Sequence, residues 1–191
     1  MQVTCYFDYT CPYSYKMLLW LRGVQQRGAD LTLDWRTFLL KEVNRGLDEP
    51  SPFEEESSLP VLALALAHAA RSADYDSYHD AVFQAMHRGG QGRRQINEED
   101  LFKIAVDAGV DLAGFERERD RWVNAVAEEH NHAFKSVNVF GTPTLILNGR
   151  TAVFLKLGEP PPPGEEDHVW NSLCCVATCY PELLEIKRPA P

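Results

Sequence analysis

The sequence predicts an α/β fold in which a β-α-β unit and a C-terminal unit, a β-hairpin followed by a helix, are separated by an all-helical insertion. Three observations predict this arrangement. A β-prone segment, an amphipathic segment and an alternating segment follow one another over residues 3–36. Residues 59–135 show no convincing strand pattern, and two β-prone runs flank Asn148-Gly149. Such a succession of elements is typical of a sheet covered by helices.

The β-α-β unit is defined by changes in hydrophobic periodicity. The β-prone segment Val3 to Asp8 is interrupted by Thr10-Cys11-Pro12. Apolar residues then recur at three-and-four spacing over residues 13–26, and Pro12 suits a first helical turn, where a missing N–H is tolerated. We therefore expect a helix that begins at Cys11 or Pro12. Residues 31–36 then alternate between apolar and polar side chains, as in a strand.

The insertion is expected to contain roughly four helices, the last of them a long charged helix over residues 115–134. Its best-marked boundary is Asn97, a helix-capping residue that precedes three acidic residues. Beyond the insertion, Asn148-Gly149 is the strongest short signal for a β-hairpin, and residues 165–177 can form a last helix. The sequence thus predicts an N-terminal half over 1–57, an insertion over 58–136 and a C-terminal half over 137–191.

Composition excludes several classes of function. The chain has 191 residues, of which 45% are hydrophobic and 25% charged, and no apolar run long enough to cross a membrane. Its net charge of -9 opposes binding to nucleic acid or anionic lipid. The first residues lack the pattern of a secretory signal, so we expect a cytoplasmic protein. The sequence does not indicate an oligomeric state.

Cysteine is the residue type that points most directly to chemistry. The five cysteines cannot all pair within the chain, and they cluster at its two ends. Cys5 falls inside the first strand and is expected to be a core residue. Cys11 falls at a strand-to-helix junction, where unpaired N–H groups and the helix dipole favour a reactive thiolate. Ser14, one turn further on, can donate a hydrogen bond to that sulfur but cannot form a disulfide with it.

A second segment, Phe140-Gly141-Thr142-Pro143-Thr144, places proline at the start of a strand. Proline at this position is compatible with a cis peptide bond. Such a turn would leave the backbone groups of Thr142 free to pair with a bound peptide or thiol.

The order of these elements, with C-P-Y-S opening the first helix and G-T-P-T before a hairpin, resembles the DsbA-type thioredoxin fold. Within that family the chain is most similar to the FrnE-like branch and to mycothiol-dependent nitroreductase-like proteins, whose endings resemble residues 180–188. The resemblance implies that Cys11 is the reactive thiol and that Pro12 and Tyr13 form the intervening dipeptide. It further implies that Pro143 is a cis-proline facing the sulfur, preceded by Thr142.

One departure from the family pattern bears on the reaction. DsbA and FrnE-like enzymes usually carry C-P-W-C, whereas this chain has Ser14 in place of the second cysteine. The segment also resembles the S-P-Y-S-W of kappa-class glutathione transferases and 2-hydroxychromene-2-carboxylate isomerases. The resemblance thus implies a cytoplasmic thiol-disulfide oxidoreductase or thiol transferase with a monothiol site. The alternatives are a kappa-like transferase or isomerase and a non-catalytic binding module.

The resemblance also sets the expected ligands. No tightly bound cofactor is expected, and a low-molecular-weight thiol of the glutathione, mycothiol or bacillithiol type would be a co-substrate. The expected partner is a small thiol or disulfide, or the disulfide of a protein. Membranes and nucleic acids are not expected as partners.

The C-terminal cysteines Cys174, Cys175 and Cys179 have three interpretations: packed core thiols, a resolving thiol for Cys11, or a redox pair of their own. They lack a C-x2-C knuckle, so no metal site is predicted. His130 and His132, which follow Glu128-Glu129, are expected on a solvated helix surface. The arginines of residues 88–94 are expected in a solvated loop, with binding of a carboxylate or phosphate as the functional alternative.

Overall fold

The computed structural model describes residues 1–55, 57–87 and 96–188. The arginine-rich segment 88–94 lies outside the described residues. The strands are β1 (Gln2–Phe7), β2 (Thr32–Thr37), β3 (Thr144–Leu147) and β4 (Thr151–Phe154). The helices are α1 (Pro12–Gln26), α2 (Leu40–Val43), α3 (Leu59–Ala70), α4 (Tyr75–His87), α5 (Glu98–Asp107), α6 (Leu112–Arg117), α7 (Arg119–Ser136) and α8 (Glu166–Cys179).

The predicted α/β fold is confirmed. The sheet has the order β2-β1-β3-β4, with β1 and β2 parallel and the other pairs antiparallel. Helix α1 begins at Pro12, as its periodicity and proline predict. The hairpin turns at Asn148 and Gly149, whose φ values of 49° and 69° explain the choice of residues, since other residues rarely adopt positive φ.

Helices α3 to α7 follow one another between β2 and β3. The charged segment predicted as one helix over residues 115–134 is broken at Glu118, where φ is -115° and the N–H bonds to the Gly114 and Phe115 carbonyls. Most of the buried side chains of these helices and of the sheet form one large hydrophobic core, and a second, smaller cluster consists of Tyr6, Phe38, Ala133, Val139 and Ile146. The division of the chain at residues 57 and 136 stays a prediction. None of the described helices is long and apolar enough to cross a membrane.

The expectation that His130 and the adjacent acids lie on a solvated surface is wrong for Glu129 and His130. His130 is buried, and its Nδ1 accepts a hydrogen bond from the Leu39 N–H at 3.1 Å. Glu129 Oε2 accepts from the Thr37 hydroxyl at 2.6 Å. The reason is that His130 shares one face of α7 with the buried residues Val126 and Ala133, and this face packs on the end of β2. His132, by contrast, is exposed.

Candidate active site at the start of α1

Cys11 is the residue immediately before the first turn of α1. Its backbone φ of -88° and ψ of 115° are extended, and its N–H donates to the Asp8 carbonyl at 3.0 Å. Its side chain makes no capping hydrogen bond to the helix. Instead the Sγ–H donates to the backbone carbonyl of Thr142 at 3.3 Å. The sulfur therefore bridges the β1–α1 junction and the segment that leads into β3.

The Thr142–Pro143 peptide bond is cis. The sequence suggested that the backbone groups of Thr142 are free to pair with a ligand. In the structure the Thr142 carbonyl is not free, because it already accepts a hydrogen bond from the Cys11 thiol. Pro143 is buried and begins the turn into β3. Of the intervening dipeptide, Pro12 is exposed and Tyr13 is half-buried. The structure thus brings both predicted motifs to one place.

Two hydroxyl groups beside Cys11 are buried without a partner among the described residues. The Ser14 hydroxyl is fully buried, and neither it nor the Thr142 hydroxyl makes a hydrogen bond. The predicted hydrogen bond from Ser14 to the sulfur is thus absent while the thiol donates to Thr142. A buried hydroxyl with no partner costs about 1–3 kcal/mol, and such groups are uncommon in folded proteins.

Asp8 fixes the loop that carries Cys11. Its buried carboxylate accepts from the Thr10 N–H at 2.6 Å and from the Thr10 hydroxyl at 2.7 Å. The other oxygen accepts from the Leu40 N–H at 2.7 Å. These hydrogen bonds join the end of β1 to the start of α2. Nothing in the local sequence pattern singled out Asp8, since the Leu40 partner is distant in the chain.

Helix α4 supports the same loop from the other side. The Tyr9 hydroxyl lies 3.1 Å from His79 Nδ1, and His87 Nε2 lies 2.7 Å from the Tyr9 carbonyl. The ring of Tyr15 stacks on His87 with centroids 5.4 Å apart. Burial, with smaller contributions from two nearby arginines, lowers the pKa of His79 well below its usual value. His79 therefore supports Tyr9 as a neutral ring.

The rim of the site is aromatic and carries a lysine. Phe140 packs on Phe154 with centroids 4.8 Å apart, and Lys156 Nζ lies 5.4 Å from the ring centroids of both Tyr13 and Phe154. Gly141 permits this packing, because a Cβ there would lie 3.0 Å from the Phe154 ring. Sequence reasoning missed Phe154 and Lys156, since no motif marks them.

The C-terminal cysteines lie far from Cys11. Cys174 Sγ is 3.9 Å from the sulfur of Met1, which precedes β1, whereas Cys11 follows the other end of β1. A strand of this length spans about 20 Å, and a disulfide requires Cα atoms within about 7 Å. Helix α8 is also anchored away from Cys11, because the Trp20 indole donates to the Glu166 carbonyl at 3.0 Å. The structure therefore does not bring a resolving thiol to Cys11 within one chain.

All five cysteines are free. Cys5 is fully buried, as expected for a core residue, and burial raises its pKa well above the usual value. Burial also raises the pKa of the half-buried Cys174 to about 11. Cys175 and Cys179 are exposed, and a hydrogen bond between their thiols, together with the charge of Cys179, raises the pKa of Cys175. No group of three or more potential metal ligands occurs among the described residues.

Known proteins are similar to this chain in sequence and in fold. An uncharacterised protein of Mycobacterium tuberculosis is 24% identical over 192 aligned residues, covering 98% of this chain and 81% of the relative. A probable DsbA oxidoreductase of Streptomyces coelicolor superposes with a TM-score of 0.64 at 15% identity, covering 100% of this chain and 93% of the other. A 2-hydroxychromene-2-carboxylate isomerase gives a TM-score of 0.64 at 18% identity, covering 97% and 100%.

At these identities the two solved structures establish the thioredoxin-like fold alone. The model of the DSBA-like thioredoxin domain matches residues 2–158, which include both segments that meet at Cys11. Most of the chain lies within this match. The chain therefore belongs to the DSBA-like thioredoxin family.

Proposed function

We propose that this protein is a cytoplasmic thiol-disulfide oxidoreductase or thiol transferase that acts through the single thiol of Cys11. The observation that carries the proposal is that Cys11, at the start of α1, contacts Thr142. Ser14 occupies the position at which DsbA-like enzymes usually carry their second cysteine. Five free thiols suit a reducing compartment, in which cysteines are more often catalytic than paired for stability.

The first half-reaction is attack on a disulfide. The Cys11 thiol loses its proton to solvent and its hydrogen bond to the Thr142 carbonyl. The thiolate attacks one sulfur of a disulfide RSSR, forms a Cys11–SR mixed disulfide, and expels RS⁻, which takes up a proton. The buried Ser14 hydroxyl and the first N–H groups of α1 are the donors available to stabilise the negative sulfur.

The second half-reaction requires a thiol from solution. Ser14 has no sulfur, and Cys174 of α8 contacts Met1, at the opposite end of β1 from Cys11. An external thiolate R′S⁻ therefore attacks the SR sulfur of the mixed disulfide, which releases RSSR′ and restores the Cys11 thiolate. The net reaction converts RSSR and R′SH into RSSR′ and RSH. Only 3% of Cys11 is exposed, which favours a slender low-molecular-weight disulfide over the disulfide of a folded protein.

The walls of the substrate groove would be formed by Thr142, Pro143, Pro12 and Tyr13. The unpartnered Thr142 hydroxyl is a hydrogen-bonding group available to a substrate there. The described residues contain no cluster of side chains that could hold a metal ion, and disulfide exchange requires no metal ion.

Kinetic comparison of cysteine variants tests the proposal. The reaction is exchange between glutathione and bis-hydroxyethyl disulfide, catalysed by the wild type, Cys11→Ser and Cys175→Ser. We expect Cys11→Ser to fall to the uncatalysed rate, whereas Cys175→Ser, which removes an exposed thiol far from the site, keeps the wild-type rate. Exchange that persists in Cys11→Ser would overturn the proposal.

The unpartnered Ser14 hydroxyl favours one second candidate, a transferase or isomerase that binds a cofactor thiol such as glutathione without covalent exchange. In that case Ser14, and not Cys11, would donate to the thiolate of the bound molecule. Isomerisation or transfer that survives Cys11→Ser and is lost in Ser14→Ala would support this candidate over disulfide exchange.

A further inference from the structure

Lys156 is connected to Cys11 by a short series of contacts. Cys11 Sγ donates to the Thr142 carbonyl, and Pro143, the next residue, accepts a hydrogen bond from the Leu155 N–H at 3.2 Å. Lys156 follows directly. Its ammonium group lies 5.4 Å from the ring centroid of Tyr13, which belongs to the same helical turn as the cysteine. Lys156 therefore spans the two segments that form the site.

The charge of Lys156 is not neutralised by the protein. No described carboxylate lies within ion-pair distance of its ammonium group, which contacts only aromatic rings. Lys16, the other lysine on this side of α1, differs in this respect, because it pairs with Glu159 at 3.3 Å and with the Gly158 carbonyl. The chain as a whole has a net charge of -9, so an unpaired positive charge at the site is opposite in sign to the net charge of the protein.

Two aromatic rings contact the ammonium group of Lys156. Distances of 5.4 Å to the centroids of Tyr13 and Phe154 lie within the range of cation–π contacts. Lys156 itself is exposed, so the ammonium group stays accessible to a ligand. Next to it, Phe140 is 66% exposed and offers apolar surface. An accessible cation beside apolar surface is suited to bind a small molecule in which a carboxylate is attached to a short aliphatic chain.

We propose that Lys156 binds a carboxylate of the low-molecular-weight disulfide that Cys11 attacks, so that the preferred substrates are acidic disulfides. This inference rests on the proposed exchange at Cys11 and adds the chemical class of the substrate. Lys156 takes no part in bond making. It contributes by holding the substrate, and its effect falls on KM more than on kcat.

Three disulfides of similar size and different charge test the inference: dithiodipropionate, which is anionic, bis-hydroxyethyl disulfide, which is neutral, and cystamine, which is cationic. For each disulfide we compare the kcat/KM of a variant with that of the wild type, because this ratio cancels the intrinsic difference in reactivity among the three disulfides. We expect Lys156→Gln to lower this ratio about threefold for the anionic disulfide through KM, as for an exposed ion pair. It should leave the neutral one unchanged.

Charge reversal and a matched control sharpen the test. The wild type is expected to prefer dithiodipropionate over cystamine. Lys156→Glu should reverse this preference, so that cystamine is preferred over dithiodipropionate. Added salt should weaken the wild-type preference for the anion. Lys103→Gln, which removes an exposed lysine from α5, should change none of the three ratios. Circular dichroism of each variant establishes that it folds.

The outcomes separate this inference from the proposal on which it rests. Equal changes for all three disulfides in Lys156→Gln would show a structural role for Lys156 and overturn the inference, while exchange at Cys11 would stand. Absence of wild-type exchange with all three disulfides would overturn both.

Discussion

Cys11 Sγ donates a hydrogen bond to the Thr142 carbonyl at 3.3 Å, across 131 positions of the chain. The bond requires that the sulfur carry a proton. Ionisation of Cys11 removes this donor and turns the sulfur into an acceptor, for which Ser14 and Thr142 hold unpartnered hydroxyls. The contact therefore joins the first turn of α1 to the segment before β3, and two hydroxyls without a partner among the described residues belong to these same two segments.

The Ser14 hydroxyl is expected to lower stability and support activity. Ser14→Ala removes a buried hydroxyl that has no partner, so the free energy of unfolding should stay the same or rise by about 1 kcal/mol. The exchange rate should fall about tenfold, as for loss of one hydrogen bond to a charged group. Urea unfolding and steady-state kinetics measure the two effects. A parallel fall in stability and activity would show that Ser14 is only a packing residue.

Restoring a cysteine at position 14 should convert the site to two-thiol chemistry. Ser14 lies one helical turn from Cys11, at the start of α1, where the backbone at Cys11 is still extended. In Ser14→Cys we expect a disulfide between the two site sulfurs after treatment with oxidised glutathione. Peptide masses should show the loss of two hydrogens within residues 1–16. A stable glutathione adduct in place of that disulfide would contradict the expectation.

The α8 cysteines should not resolve Cys11 within one chain, because Cys174 contacts Met1 at the far end of β1. A variant with serine at positions 174, 175 and 179 should keep the wild-type exchange rate. Under oxidation, peptide mapping of the monomer should show no link between residues 1–16 and 157–187. Such a link, lost together with activity in the triple variant, would assign the resolving role to α8.

Glu129 should make stability depend on pH in the acid range. Burial alone would raise its pKa, but hydrogen bonds from His68 and Thr37 outweigh burial and lower the pKa from 4.5 to about 2. A carboxyl whose pKa is lower in the folded state stabilises the fold above pH 4.5, by about 3 kcal/mol here, and this contribution is lost as the pH falls towards 2.

The comparison of Glu129→Gln with Glu128→Gln tests this origin. Glu128 is the exposed neighbour on α7, so its substitution should leave the pH profile of urea unfolding unchanged. Glu129→Gln should lose stability at pH 7 and show a flatter profile between pH 4.5 and 2. Identical profiles for the two variants would place the acid sensitivity elsewhere.

Short-range signals predicted the elements that form the site. Pro12 marked the start of α1 because its ring fixes φ at a helical value, and Asn148-Gly149 marked the hairpin because these residues tolerate positive φ. The position of Glu118 shows the limit of such signals. The break between α6 and α7 falls at a residue that is neither glycine nor proline, so periodicity alone suggested one continuous helix.

Tertiary contacts explain what the sequence did not predict. Lys156 and Tyr13 meet only because β4 returns beside the start of α1, and no pattern links residues so far apart. His130 was different, since its spacing from Val126 and Ala133 already placed it on the buried face of α7. His132 does not share that face, because residues two apart on a helix face different directions.

The most direct test of the central claim is a map of the adducts formed with oxidised glutathione. Trypsin separates residues 1–16, which hold Cys5 and Cys11, from residues 157–187, which hold Cys174, Cys175 and Cys179. Fragmentation of the first peptide distinguishes the buried core residue Cys5 from Cys11. We expect a glutathione adduct on Cys11 that free glutathione removes. Unmodified Cys11 under conditions that modify Cys175 and Cys179 would contradict it.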